Sequence, residues 1–222
     1  MTKDYSLSRL PEPKDVHAPE ANPLRIPASL ANRWTDDEFF DLCRINKKWR
    51  MEQNADGEVV IMEPAGWEGS TMNTEITRQT ANWSETDGTG EVAESSAGFK
   101  LPNGATRSPD ASWVKQSRTD LLTDEQRTKF LPLCPDFAIE LTSPSDSLEE
   151  TKDKMQEYLD NGLRLGILIH PPTREVWVYR PDTAPAHYTD PDTVSCEPEM
   201  PGFILNTQKI FAKGKVSAKP ET

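Results

Sequence analysis

Three charged residues in the middle of the chain have the types and spacing that metal-assisted hydrolysis requires. Asp110 stands at the head of an apolar segment, Glu140 lies near the end of a second one, and Lys154 falls in the polar segment that follows. Two carboxylates on adjacent strands can hold one Mg²⁺, together with waters and phosphate oxygens. Such an ion can activate water, and a nearby lysine can orient that water or neutralise developing negative charge.

Glu140 stands out because its neighbours in the segment 136–141 are mostly apolar. Side chains alternate between the two faces of a strand, so a central strand here would place Glu140 in the interior of a sheet. An unpaired charge in such a place is energetically expensive. Pairing with a cation or a metal ion would remove that cost.

Each of the three residues also has an ordinary structural explanation. An aspartate after a proline, like Asp110 after Pro109, is typical of a turn or of strand entry. Glu140 could face a sheet edge or form a salt bridge, and a lysine on a helix such as Lys154 is most often solvated. Spacing alone does not decide between these explanations and a site.

Capping signals and apolar periodicity predict the elements that would position these residues. Capping boxes at Thr35–Glu38 and Ser147–Glu150 predict helices running through Ile45 and to about Asn161, with Gly162 at the C′ position. An Asp-Gly turn at 54–57 between two strand-like segments, 49–53 and 58–62, predicts a hairpin. Further predictions are a helix at 71–85 and strands at 91–94, 99–101, 111–114, 136–141, 165–169 and 175–179.

Length and order of elements indicate one domain of the α/β or α+β class. The 222 residues suffice for a single domain with a sizeable core. Strands and helices in this order predict a mixed sheet flanked by helices. Prolines at 11, 13, 19, 23 and 27 predict a proline-rich tail over residues 1–33, followed by a domain at 34–212 and a loose tail at 213–222.

Charge and aromatic placement both argue against a general nucleic-acid-binding protein without excluding a nuclease. The formal net charge is -12, which argues against a protein that coats nucleic acid, because such proteins are basic. It does not exclude a nuclease, since acidic metal-site residues and a local basic groove can coexist. Trp49, Trp113 and Trp177 lie in predicted strands, which favours positions in the core over base-stacking platforms.

The chain shows the features of a cytoplasmic protein with no membrane partner. It has three cysteines without C-x-x-C spacing, which argues against a disulfide framework and against a zinc knuckle. The first residues lack the apolar region of a signal peptide, and no stretch approaches 18 consecutive apolar residues. We therefore expect a soluble protein of the reducing cytoplasm.

A set of short segments resembles the Uma-two family, within the PD-(D/E)xK nuclease superfamily. The resemblance covers roughly residues 35 to 212. Each segment is weak alone, but their order and spacing make the set fairly specific. The matching segments are 98–104, 108–114, 135–146, 154–162, 165–171, 176–181 and 201–203.

The resemblance implies a restriction-endonuclease-like core with a site for Mg²⁺ or Mn²⁺. Asp110, after its proline, is similar to the family's first acidic residue and Glu140 to the second, and both would bind the metal. The superfamily expects a lysine two residues after the second acid, where this chain has Thr142. The resemblance therefore places the catalytic lysine on the following helix at Lys154, with Lys152 as the fallback.

Two further positions enter through the same resemblance. Glu75 is similar to an acidic position on the early helix that often completes such sites, where it would orient water or a second ion. His170 stands before a proline where the family usually has aspartate, so the resemblance assigns it no role.

These features support a Mg²⁺-dependent endonuclease acting on DNA, with a homodimer expected by analogy with nucleases that cut both strands. The alternative is a catalytically silent nuclease-fold protein that binds nucleic acid or a protein partner. The absent lysine at Thr142 and the acidic charge motivate that alternative. A third hypothesis is an interaction module that uses the proline-rich tail.

Overall fold

The structure is a computed structural model that describes residues 23–31, 34–143 and 146–214. The helices are α1 (Asp36–Ile45), α2 (Trp67–Asp87), α3 (Gln116–Thr119), α4 (Asp124–Arg127), α5 (Leu148–Asp160) and α6 (Thr207–Phe211). The strands are β1 (Leu24–Ile26), β2 (Arg50–Gln53), β3 (Val59–Met62), β4 (Gly90–Glu94), β5 (Phe99–Lys100), β6 (Thr106–Arg107), β7 (Ala111–Lys115), β8 (Phe137–Leu141), β9 (Leu165–His170), β10 (Glu175–Tyr179), β11 (Ala186–Thr189), β12 (Thr193–Ser195) and β13 (Ile204–Asn206).

The larger sheet has the strand order β11-β10-β9-β8-β7-β4. Strands β8 and β9 are parallel, and the other neighbouring pairs are antiparallel. Parallel neighbours cannot be joined by a tight turn, so the connection between them contains the helix α5, which packs on β9. The predicted α/β fold with a mixed sheet and flanking helices is therefore confirmed.

The two faces of this sheet carry separate apolar cores, and β8 contributes to both. Phe137 and Ile139 pack with Ile76 of α2, whereas Ala138 packs with Tyr158 of α5. This alternation follows from the two-residue repeat of a strand. Glu140 has the same parity as Ala138, so its side chain faces α5.

A smaller antiparallel sheet, in the order β1-β3-β2-β6-β5, lies beside the larger one. Helix α1 covers it, with Phe39 packed against Met51 and Val59. The predicted hairpin is present as β2 and β3. Strand β1 lies inside the segment 1–33 that the sequence predicts to be a tail. Leu24–Ile26 pair there with β3, so this part of the segment belongs to the smaller sheet.

Side-chain capping explains which helix boundaries could be predicted. Thr35 and Glu38 form both bonds of a capping box at the start of α1, and Ser147 accepts a bond from the Glu150 amide at the start of α5. Gly162 follows α5 with φ 104°, the left-handed conformation that glycine favours at C′. Helix α2 begins at Trp67, earlier than predicted. Its N-cap residue has no capping side chain, so the sequence carries no signal for this start.

The three tryptophans assigned to the core do not all lie there. Trp113 and Trp177 are buried, as predicted. Trp49 is 50% exposed, so its prediction is wrong. The physical reason is that β2 begins only at Arg50, and the short turn before it projects beyond the sheet.

No helix among the described residues is both long enough and apolar enough to cross a lipid bilayer.

A substitution at Gly90 would test how closely β4 approaches its neighbour β7. A Cβ at this position would collide with the Trp113 indole and the Val114 carbonyl oxygen, both held by the sheet. We expect Gly90→Ala to lower the free energy of unfolding by about 1–3 kcal/mol in urea titrations. Gly69→Ala is the control, because the nearest atom is the Ala65 Cβ at 3.9 Å, and it should be neutral or slightly stabilising.

Candidate active site

The chain passes from the smaller sheet into the larger one at residues 108–110. Strand β6 belongs to the smaller sheet and β7 to the larger, and Ser108, Pro109 and Asp110 join them. Polar side chains from both sheets, α2 and α5 converge at this junction. Backbone pairing places Ala111 opposite Ile139, so Asp110 lies beside Glu140 on the neighbouring strand.

Asp110 is buried and accepts hydrogen bonds at both carboxylate oxygens. Arg50 and Asn73 donate to Oδ1, each at 3.0 Å, and the Leu141 amide donates to Oδ2 at 2.8 Å. Arg50 also donates to the Ser108 carbonyl oxygen. Strands β2 and β8 and helix α2 thus fix the position of this carboxylate.

Glu140 is buried on the face of β8 that packs against α5. The Tyr158 hydroxyl donates to its Oε1 at 2.9 Å, and Lys154 Nζ lies 2.9 Å from the same oxygen. No hydrogen bond from the described residues reaches Oε2. That oxygen is also not among the fully buried unsatisfied atoms, so it is open to a further ligand.

Lys154 reaches back from α5 into the junction, as the resemblance implied. Its Nζ lies 2.8 Å from Glu52 Oε1 and 2.9 Å from Glu140 Oε1. The position two residues after Glu140, where the superfamily has its lysine, is occupied by Thr142, whose hydroxyl lies 2.7 Å from His170 Nδ1. Lys152, the fallback, pairs instead with Glu149 at 2.8 Å and does not enter the junction.

Glu52 is a member of this cluster that sequence reasoning missed. It lies on β2, is 4% exposed, and accepts bonds from Lys154 and from the Ser108 amide. Arg107 binds the other oxygen of Glu52 at 3.4 Å and Glu157 at 2.5 Å. The available signal was alternation in the segment 50–53, which puts positions 50 and 52 on one face of the strand.

The charges of this cluster shift its pKa values in opposite directions. Burial raises the pKa of Glu140 to about 7, and Lys154 only partly offsets this because Asp110 and Glu52 add negative charge. Burial also acts to raise the pKa of Glu52, but Lys154 and the two nearby arginines hold it well below its usual range. Burial acts to lower the pKa of Lys154, yet Glu140 and Glu52 outweigh it and raise that pKa. Lys154 is therefore a cation at neutral pH and not a base.

The donor set suits a hard divalent cation held by few protein ligands. No group of three or more His, Cys, Asp or Glu side chains in the described ranges is arranged to hold a metal. Mg²⁺, however, commonly takes one or two carboxylates and completes its shell with water and phosphate. Asp110 and Glu140 provide such a pair, and Asn73 Oδ1 is a buried acceptor without a hydrogen-bond partner. These oxygens fit Mg²⁺ or Mn²⁺.

The charge balance of the cluster also favours a bound cation. The cluster contains four carboxylates, Glu52, Asp110, Glu140 and Glu157, and three cations, Arg50, Arg107 and Lys154. With Glu140 ionised, one negative charge is in excess. Bound positive charge would therefore favour the ionised form of Glu140 and lower its raised pKa.

The structure does not bring Glu75 to the cluster. Its carboxylate binds Arg78 at 2.5 Å and Gln79 at 3.0 Å, and the Arg78 hydrogen bond is the main cause that lowers its pKa. Asn73, two residues earlier, contacts Asp110 instead. Positions two apart on a helix point about 200° apart, so Asn73 and Glu75 cannot serve the same site. The candidate site therefore contains Asn73 and not Glu75, whose role stays a prediction.

The profile of the Uma2 family, described as "Putative restriction endonuclease", matches residues 36–208. The chain belongs to the Uma2 family. Comparison with curated proteins found no match. Among solved structures, the chain is similar to a "putative nuclease belonging to DUF820" from Anabaena variabilis, with 19% identity, 82% of this chain and 99% of the other covered, and a TM-score of 0.66. At this identity the likeness shows a shared fold, and the match to Uma2 confirms the resemblance seen in the sequence.

The raised pKa of Glu140 predicts a pH-dependent effect of Glu140→Gln. The carboxyl has an ordinary value of 4.5 and a folded value of about 7, so its favourable contribution is complete below pH 4.5 and is lost as the pH rises through 7. Glutamine stays neutral. In chelator, we expect the variant to gain about 2–3 kcal/mol of unfolding free energy relative to wild type between pH 5 and pH 8.

Urea titrations across this range provide the measurement. Glu149→Gln, on the exposed side of α5, is the control and should show no such trend. A wild-type-to-variant difference that is the same at pH 5 and pH 8 would contradict the assigned ionisation.

Proposed function

We propose that this protein hydrolyses phosphodiester bonds of DNA with the help of Mg²⁺ or Mn²⁺ held by Asp110 and Glu140. The observation that carries the proposal is the convergence of these two buried carboxylates with a protonated lysine at one junction. Membership of a family described as restriction endonucleases supports a nucleic-acid substrate. The open Oε2 of Glu140 and the unpartnered Oδ1 of Asn73 supply oxygens for the ion.

A metal ion held there would bind a phosphate oxygen and make a bound water more acidic. Asp110 remains fixed by the Leu141 amide while it binds, so its carboxylate needs no rearrangement at Oδ2. Glu140 must be ionised to act as a ligand, and its pKa near 7 means that metal binding releases a proton at neutral pH.

Lys154 contributes positive charge next to the reacting phosphate. Its Nζ stands between Glu52 and Glu140, and their charges keep it protonated. A phosphodiester gains negative charge as water attacks, and a fixed ammonium in a water-poor pocket stabilises that charge strongly. Glu52 acts through Lys154 and is a positioning residue.

A second candidate function is binding without cleavage. The observation that favours it is the filling of the junction by the protein's own cations: Arg50 binds Asp110 and Lys154 binds Glu140. These pairs neutralise most of the acidic charge without a metal. In that case the protein would bind nucleic acid or a protein partner, and no divalent ion would bind at Asp110.

A cleavage assay separates these functions. With Mg²⁺ or Mn²⁺ and plasmid or single-stranded DNA, we expect wild type to cut and chelator to stop it. Asp110→Asn and Glu140→Gln should each lower the rate at least about 100-fold, since each removes a metal ligand. Asp153→Asn is the matched control, because Asp153 is exposed on α5 beside Lys154.

The binding-only function is favoured if wild type cuts no substrate with either metal and calorimetry detects no Mn²⁺ binding. Full activity in either ligand variant would contradict the assigned site. Cutting both strands of a duplex with one site per chain would require two copies, so a homodimer belongs to the same proposal and is measured by sedimentation.

Asn73 and Glu75 provide a paired test of which side of α2 faces the site. We expect Asn73→Ala to weaken Mn²⁺ binding by about tenfold, because it removes both an acceptor and the hydrogen bond that orients Asp110. Glu75→Gln should leave binding and cleavage near wild type. Calorimetry and the cleavage assay measure both variants, and the reverse order of effects would restore Glu75 to the site.

A further inference from the structure

Two exposed indoles stand at the start of the elements that also supply side chains to Asp110. Trp67 is 83% exposed and Trp49 is 50% exposed. Tryptophan is large and apolar, so two such exposed side chains are unusual for a surface that contacts only water. Neither indole takes part in a ring contact within the described chain, unlike Trp83, Trp113 and Trp177.

Both indoles are close in sequence to side chains that bind Asp110. Trp49 directly precedes Arg50, whose guanidinium lies 3.0 Å from the Asp110 carboxylate. Trp67 is the first residue of α2, and Asn73 of the same helix binds the same carboxylate. Six helical residues rise about 9 Å and leave the two side chains pointing about 120° apart, so Trp67 lies roughly that distance along the helix from Asn73 and on an adjoining face.

The hairpin register limits how far apart the two indoles can be, because four extended residues span at most about 14 Å. Arg50 pairs with Met62, so the open end of the hairpin brings Trp49 next to Glu63. Trp67 follows Glu63 by only four residues. The turn before β2 and the start of α2 are therefore neighbouring segments of the structure.

Two lysines extend this surface. Lys47 and Lys48 are exposed and directly precede Trp49, and neither forms an ion pair with a described residue. Their neighbours Arg44 and Arg50 are both paired, with Asp41 and Asp110. Adjacent unpaired cations next to an exposed indole are the combination that binds a nucleic-acid backbone and a base together.

We propose that Lys47, Lys48, Trp49 and Trp67 form a platform that binds single-stranded nucleic acid and leads it to Asp110. Stacking needs an exposed base face, which a single strand offers and a duplex withholds. Duplex affinity rests mainly on neutralising phosphates, and a chain with net charge -12 and two unpaired lysines here offers little of that. The link to Asp110 rests on the proposed function, whereas binding itself does not.

The platform makes base stacking, not phosphate contact alone, the main source of affinity. An oligonucleotide that keeps its phosphates but lacks its bases should therefore bind poorly. Single strands, frayed ends and unpaired flaps would enter the junction more readily than continuous duplex. DNA and RNA strands share the stacking chemistry, and their comparison shows whether the sugar matters.

Fluorescence anisotropy in chelator tests this inference without any cleavage. The probes are a labelled 20-nucleotide DNA strand, its RNA counterpart, the matched duplex and an abasic strand of equal length. We expect the DNA or RNA strand to bind at least tenfold more tightly than the duplex and the abasic strand. Trp49→Ala and Trp67→Ala should each weaken strand binding about 5- to 100-fold.

Further variants separate stacking from charge and from damage to the fold. Trp49→Phe and Trp67→Phe keep a flat ring and should retain most binding. Replacing Lys47 and Lys48 by alanine should reduce the dependence of log affinity on log salt by about 1.4, the value for two phosphates of a single strand. Leu121→Ala, at a residue 83% exposed on another surface, and Lys115→Ala, at the far end of β7, are the controls and should bind like wild type.

Equal binding of duplex and single strand, or unchanged binding in both tryptophan-to-alanine variants, would overturn the proposal. So would a change of oligomeric state in those variants at unchanged affinity per chain, since the indoles would then belong to an interface between copies. Strand binding that persists while no metal supports cleavage would leave this inference standing and reject the proposed hydrolysis alone.

Discussion

The ion bridge from Lys154 to Glu52 and Glu140 is the interaction on which the site depends. It joins α5 to β2 of the smaller sheet and to β8 of the larger one, with N–O distances of 2.8 and 2.9 Å. All three side chains are largely removed from water, so no member could lose its partner without leaving a buried charge. Removing one partner of such a pair typically costs about 3–5 kcal/mol. The relative placement of the two sheets and of α5 is therefore tied to the charge balance of the site.

This constraint also explains why the two glutamates differ. Glu52 faces Lys154, Arg107 and Arg50, and these cations keep its pKa low. Glu140 is equally buried but shares Lys154 with Glu52 and lies beside Asp110, so its pKa is raised. Two identical side chains thus differ in pKa because of where the cations stand. The carboxylate that is least well compensated is also the one with an oxygen open to a further ligand.

The strands of the large sheet other than β11, and the helix that follows β8, could be predicted because their signals are local. Capping residues, a glycine after α5 and the alternation in 136–141 all act within a few positions. The resemblance supplied Lys154, which no spacing rule would have selected. Glu52 was missed because its burial depends on a long-range contact with α5, about 100 residues away in sequence.

The placement of Glu75 and of Trp49 also depended on details of the structure that the sequence does not specify locally. Acidity alone selected Glu75, but the rotation of α2 about its axis decides which residue faces Asp110, and that rotation is set by packing of Ile76 into the core. Trp49 was assigned to the core by its place in an apparent strand. The strand begins one residue later, which turns a core prediction into an exposed indole.

Net charge describes this surface poorly, because many carboxylates of the chain are already paired with its own cations. Glu58, Glu91 and Glu125 each bind a cation of the chain, and the surface of α5 pairs Glu149 with Lys152. A ligand approaching the junction meets local charges within a Debye length of about 8 Å and is screened from the rest. Lys47 and Lys48 therefore act on a bound strand with little opposition from distant carboxylates. An acidic protein can accordingly bind a polyanion at one place, provided that stacking supplies the affinity that a general positive field would otherwise give.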